Sequence, residues 1–128
     1  MNYIDNFKFK NTILVCLCVL LLSFSCKEAS TKSIIQVANI EELNEAIKNA
    51  NPGDNIVLAN GVWKDVEIKF RGQGTKENPI VLKAETNGKV SIEGKSYLEF
   101  GGQFLEVKGL HFKNGYSPSR AVIDFRII

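Results

Sequence analysis

Histidine occurs once in this sequence, at His111, and cysteine only at Cys16, Cys18 and Cys26. With no second histidine or cysteine beside His111, nitrogen–sulfur metal ligation has no donor set. Neither a Ser/His/Asp nor a Cys/His nucleophilic set can be assembled from these parts. His111 sits between Leu110 and Phe112, so strand alternation turns it outward. Net charge is also scarce: 16 Lys+Arg face 14 Asp+Glu, with no concentrated basic face of the kind that nucleic acid requires. The longest apolar run, Thr12 to Phe24, falls short of the roughly 20 residues that span a bilayer. Cys16 and Cys18 lie within that run. If it is removed, Cys26 remains alone and no intramolecular disulfide is available.

What the N-terminus does contain is an export signal. Lys8 and Lys10 precede the apolar run, and the small residues Ser23 and Ser25 precede Cys26, so residues 1–25 read as a signal peptide. Cys26 behind Leu-Ser-Phe-Ser looks like a lipobox, which implies diacylation of Cys26 and a membrane anchor. Lipidation would also remove a lone exposed thiol. The expected location is therefore an outer-membrane or cell-surface lipoprotein; ordinary cleavage, leaving a periplasmic or secreted protein, is the alternative. Residues 26–36 are expected to form a polar tether, and Ile34 to Val37, across its junction with the domain, read as a short entry strand. Residues 37–128 make at most one domain.

The core of that domain is announced at Asn39 to Gly61. Asn39 and Glu42 form a capping box, and Ile40, Leu43, Ala46, Ile47 and Ala50 fall on one helical stripe. Glu41, Glu42 and Glu45 suit the positive end of the helix dipole and solvent. Asn51-Pro52-Gly53-Asp54 ends the helix. Short strands and turns follow to the end of the chain. Val66, Ile68 and Phe70 alternate with Asp65, Glu67 and Lys69, while Arg71 to Pro79 reads as a loop. Ile56-Val57-Leu58 recurs at Ile80-Val81-Leu82, Phe104-Leu105 follows, and Val66-Glu67-Ile68 recurs at Val90-Ser91-Ile92. The implied period is about 24 residues. Stacked coils bury each other's apolar faces and complete parallel ladders. The fold class expected is all-β, a right-handed parallel β-helix whose first coil is covered by the helix; an antiparallel sandwich is the alternative.

Few residues suggest chemistry. The Gly-x-Gly at Gly72 to Gly74 is followed by Pro79 and a strand rather than a helix, which argues against a phosphate cradle. Asp124 and Arg126 share an outward face, as a surface pair or as substrate contacts. Trp63 and Tyr116 are candidates for stacking on sugar rings or for packing within the fold. The residues assign no catalytic group, no metal ligand and no substrate-binding side chain.

The runs Pro52-Gly53-Asp54 to Asp65, Gly72 to Ile80, Leu82 to Thr86, Gly109 to Tyr116 and Val122 to Arg126 resemble polysaccharide lyase family 6, the chondroitinase B-like and alginate lyases. The resemblance implies an acidic polysaccharide, alginate before dermatan or chondroitin sulfate, lying along a β-helix groove. It implies calcium neutralising the uronate carboxylate, a lysine base and an arginine acid, and cleavage by β-elimination. In the family those groups lie on later coils, so none is carried over to a residue here and calcium is expected only in the full-length domain. The expectation is an N-terminal fragment without activity of its own. Rival readings are a non-catalytic β-helix that binds glycans or supports adhesion, and a glycoside hydrolase on the same scaffold.

Overall fold

The computed structural model describes residues 32–126. The expected signal peptide, Cys26 and most of the expected tether lie outside the described residues. Strand β1 (Ile34–Val37) leads into helix α1 (Ile40–Asn49), and nine strands follow: β2 (Asn55–Leu58), β3 (Gly61–Lys64), β4 (Glu67–Gln73), β5 (Ile80–Ala84), β6 (Val90–Gly94), β7 (Tyr97–Gln103), β8 (Leu105–Lys108), β9 (Leu110–Gly115) and β10 (Ile123–Arg126). Among the described residues the first strand begins at Ile34, where the sequence also places a short entry strand.

The strands form three sheets in the orders β1-β2-β5-β8, β3-β6-β9 and β4-β7-β10. Every pairing among the described residues is parallel. Each sheet takes one strand from each successive coil, which is the expected right-handed parallel β-helix and excludes the antiparallel sandwich.

The helix forms where its capping box places it. Asn39 Oδ1 accepts from the Glu42 amide at 2.9 Å, and the Glu42 carboxylate accepts from the Ala38 amide at 2.7 Å. The reciprocal bond therefore lands one residue before the cap. Leu43, Ala46 and Ile47 are buried and the helix packs on β1, β2 and β4, closing one end of the coil stack. The following turn is pinned by buried Asp54, which accepts from the Asn51 amide at 2.8 Å and from the Ser33 hydroxyl at 2.6 Å.

The repeat needs correction. Ile56 pairs with Leu82 rather than Ile80, and Ile80 with Leu105 rather than Phe104. The Val66 repeat was misplaced altogether: Val90 pairs with Gly61, and Ile68 with Leu98, because β4 stacks on β7 and β3 on β6. A fixed period fails because corner lengths differ from coil to coil, and β6 and β9 shift register between Ile92 and Gly94.

Inward residues stack by kind. Ile68, Leu98 and Ile123 form one column, and Phe70, Phe100 and Phe125 another. Phe70 and Phe100 meet edge to face at 5.7 Å, and Phe100 and Phe125 at 5.5 Å. The corner at Asn60 is stitched to the next coil, since Asn60 donates to the Thr86 hydroxyl at 3.0 Å and accepts from the Thr86 amide at 3.1 Å. No buried side-chain nitrogen or oxygen among the described residues lacks a partner.

The end opposite the helix is uncovered. Phe125 is 73% exposed and Ile123 44% exposed. An apolar cavity of about 380 Å³ opens there, lined by Leu98, Phe100, Val107, Leu110, Phe112 and Phe125 among others.

Candidate functional site

Alternation along β4 and β7 decides which side chains point out of the coil. Ile68, Phe70 and Leu98 are buried inward, so Glu67, Lys69 and Arg71 on β4, and Tyr97, Glu99 and Gly101 on β7, occupy the outer face. The register places Glu67 beside Tyr97, Lys69 beside Glu99 and then Asp124, and Arg71 beside Gly101 and then Arg126. The result is a flat grid of polar residues over three rungs.

Glu99 is the centre of this grid. Its side chain is only 6% exposed, although it carries charge. Arg71 donates to Glu99 Oε1 through Nε at 3.0 Å and again through Nη2, and Arg120 donates to Glu99 Oε2 at 3.3 Å. The hydrogen bonds from Arg71 hold the Glu99 carboxyl below its ordinary range. Burial opposes this, and the charges of Arg71, Arg126 and Arg120 reinforce it. Glu99 is therefore an anion whose desolvation is offset by two guanidinium groups. Arg120 also lies over the Tyr97 ring, 4.4 Å from its centroid, a cation–π contact. The Tyr97 hydroxyl donates to Glu67 at 2.8 Å. That bond lowers the Glu67 carboxyl, while burial, more than the bond, raises the Tyr97 phenol.

The residues singled out from sequence fall in different places. Asp124 and Arg126 do share an outward face and form an ion pair at 2.8 Å, at the edge of the same grid. Trp63 is 6% exposed and donates to the Ala59 carbonyl at 3.1 Å, so it packs within the fold. Tyr116 is 59% exposed, and His111 is exposed on β9. Arg71 and Gly72 belong to β4 and not to a loop; the Gly-rich composition concealed the end of that strand. The Arg71–Glu99–Arg120 cluster was missed. The alternation Glu67-Lys69-Arg71 was a usable signal for one wall of it, but the partners are set by pairing across coils.

Among the described residues no three His, Cys, Asp or Glu side chains converge as a metal site would need. The carboxylates of the grid are engaged by arginines, lysine or tyrosine. They do not fit the role of a calcium cage.

The sequence model of the family described as chondroitinase B matches residues 37–128. No curated protein matches the chain. Among solved structures, the chain is similar to the PL6 family alginate lyase AlyGC, at 44% identity and a TM-score of 0.69 over 70% of this chain and 12% of that one. It is similar to the PL6 family polysaccharide lyase Pedsa3628 from Pseudopedobacter saltans, at 47% identity and a TM-score of 0.69 over 71% of this chain and 21% of that one. A mannuronic acid specific polysaccharide family 6 lyase from human gut microbiota matches at 29% identity and a TM-score of 0.62, over 71% of this chain and 22% of that one. The chain thus spans about an eighth to a fifth of the length of these structures.

Proposed function

The chain belongs to the chondroitinase B family, the family 6 polysaccharide lyases, and from that premise we propose that it is the helix-capped N-terminal part of an exported lyase cleaving uronate-containing polysaccharide by β-elimination. Alginate is the favoured substrate, with dermatan or chondroitin sulfate second. The observation that carries this reading is the 44–47% identity to family 6 lyases, one of them an alginate lyase, over some 70% of the chain. The uncovered apolar end with Phe125 and Ile123 supports the addition of further coils, as does the greater length of the relatives. Those coils would supply the base, the acid and the calcium ligands. This part supplies the lid that blocks edge pairing at one end and the first rungs of the groove floor. Cys26, lipidated after removal of residues 1–25, would hold the enzyme at a membrane surface.

The test is an assay of the complete coding frame beside residues 1–128, on alginate and on dermatan sulfate. The complete protein is expected to raise the absorbance of unsaturated uronate ends on alginate, and residues 1–128 alone are expected to raise none. New reducing ends without unsaturation would instead indicate a glycoside hydrolase. Retention of the polymer without any cleavage would indicate a binding or adhesion protein. Unsaturated product from residues 1–128 alone would contradict the assignment of catalysis to later coils.

A further inference from the structure

The sequence contains three arginines, Arg71, Arg120 and Arg126, against thirteen lysines. All three arginines lie at the outer grid of the β4-β7-β10 sheet, whereas the described lysines are spread over every face. Arginine differs from lysine in presenting a planar fork that matches a carboxylate or sulfate with two parallel hydrogen bonds. Their convergence on one face, by strands and a loop far apart in sequence, needs an account beyond solubility. Stability is a weak one, because exposed ion pairs contribute only about 0–1 kcal/mol.

Each fork is already oriented. Arg71 is held by Glu99, Arg126 by Asp124 at 2.8 Å, and Arg120 by Glu99 and the Tyr97 ring. Held side chains lose less rotamer freedom on binding. Yet Arg71 and Arg126 keep 55% and 53% of their side-chain surface exposed, and Arg71 Nη1 has no partner among the described residues. Two guanidinium groups share the single Glu99 carboxylate, which leaves positive charge over. Arg71 and Arg126 stand in one register column, two rungs apart, with Gly101 between them. At a strand spacing of about 4.8 Å their backbones are roughly 9–10 Å apart; Gly101 adds no side chain between them, and its own backbone is buried beneath its neighbours.

We propose that this face is an anion subsite for a linear acidic polysaccharide: the half-exposed forks of Arg71 and Arg126, on either side of Gly101, together take a sugar carboxylate or sulfate, and Glu99 positions Arg71 and Arg120 for it. The inference rests on the polysaccharide reading above and adds the side chains that hold the polymer on these first coils.

The experiment is affinity electrophoresis and titration of the full chain with alginate, which carries carboxylates only, with dermatan sulfate, which carries both anions, and with neutral dextran. Circular dichroism checks the fold of each variant. The wild-type chain is expected to bind one or both acidic polymers and not dextran. R71Q/R126Q is expected to weaken that binding at least tenfold. K83Q/K108Q, which removes the same charge from another sheet, should stay within about twofold of wild type, by the screened, non-directional character of surface lysines. R126Q leaves Glu99 with both of its arginines, so the fold is spared, and it should weaken binding at least threefold by itself. R71K/R126K, which keeps the charge and loses the forks, should also weaken binding severalfold. Preference for alginate assigns the subsite to carboxylate, and preference for dermatan sulfate to sulfate. Equal losses in the lysine and arginine variants, unchanged binding by R126Q, binding of dextran, or no binding by the wild-type chain would each overturn the subsite. None of these touches the lyase assignment, which is decided by product formation in the complete protein.

Discussion

Replacing Gly102 with alanine will cost the chain far more stability than the same replacement at Gly61. Both glycines adopt a backbone that side chains rarely tolerate, with φ of +131° and +141°. A non-glycine residue held in such a conformation costs about 1–3 kcal/mol, and that part is common to both. The surroundings differ. A Cβ at Gly61 would meet nothing within 4 Å, whereas a Cβ at Gly102 would sit 1.9 Å from the Gly72 carbonyl oxygen. Gly72 is the register partner of Gly102, so the obstacle is backbone and cannot rotate away without prising β4 from β7. Overpacking of this kind adds about 1–3 kcal/mol. G102A should therefore lose about 2–6 kcal/mol, against about 1–3 for G61A. Urea denaturation followed by circular dichroism reads the difference; equal midpoints for the two variants would show that the two coils do not approach at this corner as described.

The second large effect is expected at Phe70. Its ring is fully buried at the start of the Phe70–Phe100–Phe125 stack, while Phe125 at the other end is 73% exposed. Truncating a buried phenylalanine removes its transfer free energy and leaves a cavity, together about 3–5 kcal/mol. Small domains have only about 5–15 kcal/mol in all, so F70A should remove a large share of the chain's stability and lower its urea midpoint steeply. F125A removes a ring that is mostly in water and should cost under about 1 kcal/mol by the area rule. If F125A proved as damaging as F70A, the uncovered end would have to be covered in solution by a second copy.

Much of the fold was legible because its signals are local. Asn39 and Glu42 mark a helix start through bonds only three or four residues long, and Asn51-Pro52-Gly53-Asp54 marks its end. Strand faces followed from alternation at Val66, Ile68 and Phe70. The stacking of coils was also legible in outline, but the register was not. Matching Ile56 to Ile80 assumes equal corners, and the corners are unequal: β3 advances to β6 by a longer path than β6 to β9. The candidate site depends on that register. Arg71 meets Glu99 and Arg120 only because β4 pairs with β7 and the chain before β10 folds back over Tyr97. No short-range pattern encodes those meetings, and the glycines around Arg71 suggested a loop where a strand continues. Asp124 and Arg126 were paired correctly because they are two residues apart on one strand.

The account as a whole stands on parallel coils in the stated register. Nuclear Overhauser contacts in the isotope-labelled chain measure this directly. The account predicts contacts from Ile68 to Leu98 and from Leu98 to Ile123, together with Ile56 to Leu82, all with strands running the same way. Contacts joining Ile56 to Ile80 and Val66 to Val90, or contacts between neighbouring strands running in opposite directions, would contradict it.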